Sequence, residues 1–287
     1  VAFTTVLKNT GPITLTKIWY EDGAQVDGGD VNVVIVDASG DVVQASTSAT
    51  KTGSESSTSY TYSLAIQTTV NRLTVTWTRV DTGAVLTDTV EVVGDRLFSL
   101  TDARAFDGGA LASTSLYTNA TILQARDEIT DLLEDWTGVS WIRRHARYDL
   151  PGSGTSKLRL RDFFPTQVIA ASIDGTAQTV GDIVIAGHGP FLLHTTSTWS
   201  APTATDPLNV TVEYEYGRQD APDGVNRVGL LLLRDRLVPS AIPDAAISFQ
   251  DEGGAYQMVR EGGPMRNITR IPEVNAWLTA HTIPRVH

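Results

Sequence analysis

The sequence predicts a multidomain fold: an all-β domain over 1–94, an α+β domain of helices with inserted strands over 95–238, and an extended C-terminal arm with a short terminal helix over 239–287. Three observations predict it. Up to Gly94 the chain is rich in Thr, Val and Ser, and its apolar residues alternate with period two. After Asp95 a stretch of period 3.6 is followed by alternating strands and a second helical stretch. From Pro239 onward, Pro243, Gly253-Gly254, Gly262-Gly263-Pro264 and Pro272 interrupt the chain too often for a core of its own.

In the first domain, Thr14 to Tyr20, Val31 to Asp37, Asp41 to Ala45, Ser59 to Ile66, Arg72 to Val80 and Val85 to Val93 read as strands. Asp-Ala-Ser-Gly at 37–40 and Asp-Thr-Gly at 81–83 mark tight connections. Six or seven short strands with Trp77 in the middle of one match the pattern of an immunoglobulin-like β-sandwich, although the cysteine pair common in that fold is missing. The stretch from Ala45 to Ser59, nearly all Ser, Thr, Gly and Ala, is expected to be a mobile loop.

Leu97 to Phe106 reads as a short helix with Ser99 or Thr101 near its start. The stretch from Thr121 to Asp162 organises the second domain. Ile122, Ala125, Ile129, Leu132, Leu133 and Trp136 recur at helical spacing, with Asp127, Glu128, Asp131, Glu134 and Asp135 on the other face. Asn119 or Thr121 can cap this helix, and Gly138 supplies its left-handed stop. Two strands then flank a Pro-Gly-Ser-Gly turn and are expected to pair as a hairpin. Arg143, His145 and Arg147 on the first, with Lys157, Arg159 and Arg161 on the second, would form a basic ladder. Like charges facing one another are destabilising without compensation, so the ladder is either a solvated face or a docking face for an acidic surface or a phosphate backbone.

Val168 to Ile173, Ile183 to Ile185, Phe191 to His194 and Asn209 to Tyr216 read as further strands. In the last, Glu213 and Glu215 share a face that is expected to be solvated. Pro222 precedes a second helix running to Leu237, which Pro239 ends. In the arm, Ile271, Val274, Trp277 and Leu278 fall at i, i+3, i+6 and i+7, an anchor pattern for a helix laid in a partner's groove; the other reading is a tail folded back on its own domain.

Composition limits the function classes. Net charge is -11, from 22 basic and 33 acidic residues, which argues against gripping nucleic acid by its phosphates but not against surrounding it. With no cysteine, disulfides, thiolate metal sites and cysteine nucleophiles are excluded, and assembly in a reducing cytoplasm is expected. The stretch VAFTTVLKNT lacks the features of a signal peptide, and no apolar run is long enough to span a bilayer. No HExxH, GxSxG or P-loop occurs, and His145, His188 and His194 lack metal-ligand spacing. The expectation is a protein that is not an enzyme and has no catalytic residue, metal or cofactor. The Asn-X-Thr triplets at Asn119, Asn209 and Asn267 carry no meaning in that setting.

The acidic helix ending EDWTG, the basic strand followed by LRLRDFFP and ASIDG, VEYEYG followed by Pro and a helix, and the terminal DEGGAYQM and IPEVNAWL occur in this order between Asp95 and His287. This order resembles the head-tail connector, or adaptor, proteins of long-tailed bacteriophages, particularly those of actinobacteria. The resemblance implies a structural virion protein at the head-tail interface: a homo-oligomeric ring, commonly twelvefold, bound to the portal protein and to the next connector, stopper or tail protein, with DNA passing through its channel. It implies portal docking through Ile271, Val274, Trp277 and Leu278. Arg143, Arg147, Lys157, Arg159 and Arg161 on one side and Asp127, Asp131 and Glu134 on the other become candidates for the two sides of a subunit contact. The N-terminal domain lies outside the shared segments. An immunoglobulin-like adhesin or glycan-binding surface protein is the alternative; it would need an exposed aromatic cluster, for which Trp19, Tyr20, Tyr60 and Tyr62 are the candidates.

Overall fold

The computed structural model describes residues 3–21, 24–27, 29–54, 57–187, 189–218, 223–238, 246–250, 255–258, 268–269 and 271–283. The fold is β-rich and multidomain, with four α-helices among the described residues. It forms two compact units, Val1–Asp95 with Ile142–Gln219, and Arg96–Trp141 with Asp220–His287. The division by sequence at 94/95 and 238/239 follows chain order, whereas compactness groups by nesting: the strands of 142–219 join the N-terminal sheets, and the helices on either side of them join one another.

The first unit begins with β1 (Phe3–Leu7), β2 (Ile13–Lys17), β3 (Trp19–Glu21), β4 (Ala24–Val26), β5 (Val31–Val36), β6 (Val42–Ser48), β7 (Thr50–Thr52), β8 (Ser59–Leu64), β9 (Asn71–Arg79) and β10 (Val85–Val93). They make a five-stranded sheet β1-β10-β9-β5-β6, a three-stranded sheet β2-β8-β7 and the ribbon β3-β4, with β1 parallel to β10. Alternation explains the core: Val31, Val33 and Ile35 of β5 and Leu73, Val75 and Trp77 of β9 all turn inward. The Trp77 indole N–H donates to Asp88 at 3.0 Å, and Lys17 reaches the other oxygen of that carboxylate at 2.7 Å.

The stretch expected to be a loop, 45–59, is largely strand. Thr is β-branched and suits a ladder, so β6 runs on to Ser48 and β7 pairs with β8. Lys51 of β7 then reaches Asp27 at 2.5 Å. The Lys51 ammonium, the Gly29 N–H and the Tyr60 hydroxyl together hold the Asp27 carboxyl down at about 2.

The same unit continues with β11 (Arg144–Leu150), β12 (Lys157–Arg159), β13 (Pro165–Ile173), β14 (Thr176–Ala177), β15 (Ile183–Ile185), β16 (Phe191–His194) and β17 (Val210–Tyr216). These strands form two sheets, β11-β17-β13-β14 and β12-β16-β15. A second core, including Leu158, Leu192, Trp199, Val212 and Tyr214, is buried among them.

The second unit holds α1 (Leu100–Ala105), α2 (Asn119–Thr137), α3 (Asp223–Leu237) and α4 (Pro272–His281), with the hairpin β18 (Ala246–Gln250) and β19 (Ala255–Met258). Ser99 and Asp102 form a reciprocal capping box on α1. Thr118, rather than Asn119 or Thr121, caps α2 by accepting from Thr121 N–H, and Gly138 ends it at φ 71°. Arg104 holds the loop before α2, donating to the carbonyls of Leu111 and Tyr117 and to the Asn119 side chain. Ion pairs link Arg234 to Asp107 and Arg227 to Glu273.

Candidate functional site

The expected basic ladder does not form. β11 pairs with β17 and β12 with β16, so the residues flanking the Pro-Gly-Ser-Gly turn lie in different sheets. The reason is charge and burial: β17 offers carboxylates to the cations of β11, which β12 could not. Register sets Arg147 opposite Glu213 and His145 opposite Glu215.

Glu213, expected on a solvated face, is buried between two donors. His145 Nε2 lies 2.9 Å from its Oε1, and Arg147 Nη1 donates to Oε2 at 3.1 Å. The hydrogen bond with His145, with Arg147 adding to it, holds the Glu213 carboxyl below its usual range although burial pushes the other way. Beside it, Arg144 donates to Glu91 of β10, and Gly94 N–H donates to the carbonyl of half-buried Arg143 at 2.9 Å. A cleft of about 390 Å³ opens there, lined by Arg72, Thr74, Glu91, Arg147, Tyr148 and Tyr216. Its charges are mostly matched by neighbours, so it acts first as an electrostatic joint between sheets.

The remaining cations of the expected ladder separate. Arg161 stacks over the Tyr148 ring, 4.7 Å from its centroid, and Lys157 over Phe191 at 3.9 Å. Arg159 is exposed. Next to Arg161, Asp162 accepts from the Tyr214 hydroxyl at 2.8 Å and from Tyr148; burial pushes this carboxyl up, and burial also raises both tyrosines.

The acidic face of α2 is partly engaged within the second unit. Asp127 pairs with Arg126 and Arg96, Glu128 with Arg236, and Glu134 accepts from Ser140. Asp131 and Asp135 are exposed, and neither is without a partner.

The arm's helix exists, and its apolar residues pack within the second unit. Val274 and Leu278 are 0% and 2% exposed within the second unit, and Ile271 is half-buried. Trp277 stacks on His281 with ring centroids 4.4 Å apart and packs against Trp141 at 5.1 Å. Ile283 N–H bonds the Thr137 carbonyl at 2.9 Å, closing the chain back onto the end of α2. Apolar burial within the chain wins because α2 and α3 need a third helix to cover them.

Asn209 is a structural hub that the sequence pattern does not announce. Buried at the start of β17, it accepts from Gly152 N–H at 3.0 Å and donates to Asp174 and Ser200 at 3.2 and 3.1 Å, joining three loops. The signal available for Glu213 was the charge complement between RHARYD and VEYEY; for Asn209 there was none, since its partners come from three separate turns.

Among the described residues no group of three or more His, Cys, Asp or Glu could hold a metal ion, and no helix is long and apolar enough to cross a membrane. No protein-family model matches the chain, and no curated protein matches it either.

Proposed function

We propose that the chain is a structural virion protein, a head-tail connector that assembles as a ring between the portal and the next connector or tail protein and surrounds passing DNA. The observation that carries this is the nested architecture. The helical segments 96–141 and 220–287, which hold the helix ending EDWTG, DEGGAYQM and IPEVNAWL, form one compact unit although an inserted set of strands, which carries LRLRDFFP, ASIDG and VEYEYG, separates them in sequence. An acidic chain with exposed carboxylates on α2 is suited to line or border a channel through which DNA slides. The sheet order β1-β10-β9-β5-β6 against β2-β8-β7, with Trp77 buried between, supports reading the N-terminal part as an immunoglobulin-like decoration.

The adhesin alternative loses its aromatic platform. Trp19 and Tyr60 are buried edge to face, Tyr62 is half-buried, and of the four candidates Tyr20 alone is exposed, at 59%.

The test is mass photometry with negative-stain imaging of the purified protein, alone and mixed with the portal of the same phage. Rings with a central hole are expected in one or both samples. A monomer that ignores the portal would overturn the proposal and make glycan binding the next measurement.

A further inference from the structure

The cleft of about 390 Å³ in the first unit holds more cation than its own carboxylates use. One wall belongs to β9 and β10. Alternation along β9 sets Arg72 and Thr74 on one face, away from Leu73 and Val75 in the core. The other wall is β11, which supplies Arg147 and Tyr148.

Register sets Arg72 opposite Glu91, the residue placed to neutralise it. Glu91 is instead engaged by Arg144 of β11. Asp37, the other carboxylate of the lining, accepts from the N–H groups of Ser39 and Asp41 in its own turn, both at 2.9 Å. Among the described residues no carboxylate is paired with Arg72. Arg147 is only partly spent: its Nη1 donates to Glu213, and its side chain stays 37% exposed. A guanidinium is a planar fork of several donors, so Arg147 can serve a second acceptor. Burial, together with Asp162, pushes the Tyr148 hydroxyl up, and the charges of Arg161 and Arg72 both oppose that rise, which puts Arg72 beside Tyr148 in the cleft. The acceptors of the cleft are taken, and donors remain.

We propose that this cleft is a binding site for a carboxylate group, held between the Arg72 and Arg147 guanidinium groups with the Thr74 hydroxyl beside it. The volume falls in the range of small-ligand sites. Planar guanidinium forks match a planar carboxylate through paired N–H bonds. Phosphate is the poorer guest, because Glu91 and Asp37 also line the cleft and repel a dianion more than a monoanion. A free acid and an acidic side chain of another protein present the same group. The site does not depend on ring formation.

The experiment is isothermal titration calorimetry of the intact chain at low ionic strength with four probes: glutarate, acetyl-Gly-Glu-Gly-amide, acetyl-Gly-Gln-Gly-amide and inorganic phosphate. Wild type is compared with Arg72→Gln and Thr74→Val, both changes on exposed side chains, and far-UV circular dichroism checks that each protein folds. At least one carboxylate probe should saturate a single site in wild type, while the glutamine peptide gives no heat of binding. Arg72→Gln should weaken that binding by roughly tenfold or more, and Thr74→Val by less. Saturation by the peptide alone assigns the guest to a protein's side chain, and saturation by glutarate alone assigns it to a free acid; either supports the site. Failure of both carboxylate probes to saturate wild type would overturn the proposal, as would unchanged affinity in the two variants. Phosphate binding as tight as the carboxylates would overturn the choice of guest.

Discussion

His145 and Glu213, 68 residues apart in sequence, meet at 2.9 Å across β11 and β17. Because the Glu213 carboxyl is held below its usual range, the protons it binds on unfolding work against the folded state in acid. Its contribution is complete above the ordinary Glu value of about 4.3 and is lost as pH falls through the folded value. Urea midpoints between pH 3 and 7 should therefore drop on the acid side in wild type, and Glu213→Gln should flatten that drop. An unchanged acid limb in the variant would place its source elsewhere.

Asn209→Ala removes one acceptor and two donated bonds from three loops at once. At about 1 kcal/mol each, the expected loss is about 2–3 kcal/mol. Asn209→Asp should not restore it, since a carboxylate cannot donate to the Ser200 carbonyl. Thermal melts of the two variants would decide, and wild-type stability in Asn209→Ala would show that the loops hold without the hub.

Trp277→Ala bears directly on the arm. A partner-docking helix predicts an isolated protein indifferent to this change. Packing against Trp141 and His281 predicts the opposite, a loss of about 2–4 kcal/mol in the second unit. Gly224→Ala should act in the same direction, because its Cβ would sit 2.9 Å from Trp277 Nε1. Tryptophan fluorescence during denaturation reads both, and melting indistinguishable from wild type would restore the docking reading.

Asp88→Ala should destabilise the N-terminal sheets by about 2–3 kcal/mol, since it leaves the buried Trp77 N–H without its acceptor. Asp88→Asn keeps an acceptor for the indole and should recover most of the loss. Equal melting of the two variants would argue that the Lys17 ion pair, not the indole bond, is the one that matters.

Local features were legible in the sequence. The apolar period and Gly138 placed α2 within three residues at its N-terminus and one at its C-terminus, and Ile183 to Ile185 and Phe191 to His194 were read at their observed bounds. These signals lie within the element itself. The partner of β11 was not legible in the same way, because a Pro-Gly turn announces reversal without naming the strand that pairs. Burial of Glu213 follows from that pairing, and so was missed with it. The seat of Trp277 depends on Trp141 and Gly224, which periodicity within 271–278 cannot contain.

Nesting has a consequence for synthesis. α2 leaves the ribosome before all of 142–219, while α3, which belongs to the same compact unit, comes after it. At about 5–20 residues per second, its apolar stripe waits seconds for cover. The strands of 142–219 can meet β9 and β10 during that interval, so the order of birth runs from the sheets to the helices, and α2 is the part that most needs shelter from aggregation meanwhile.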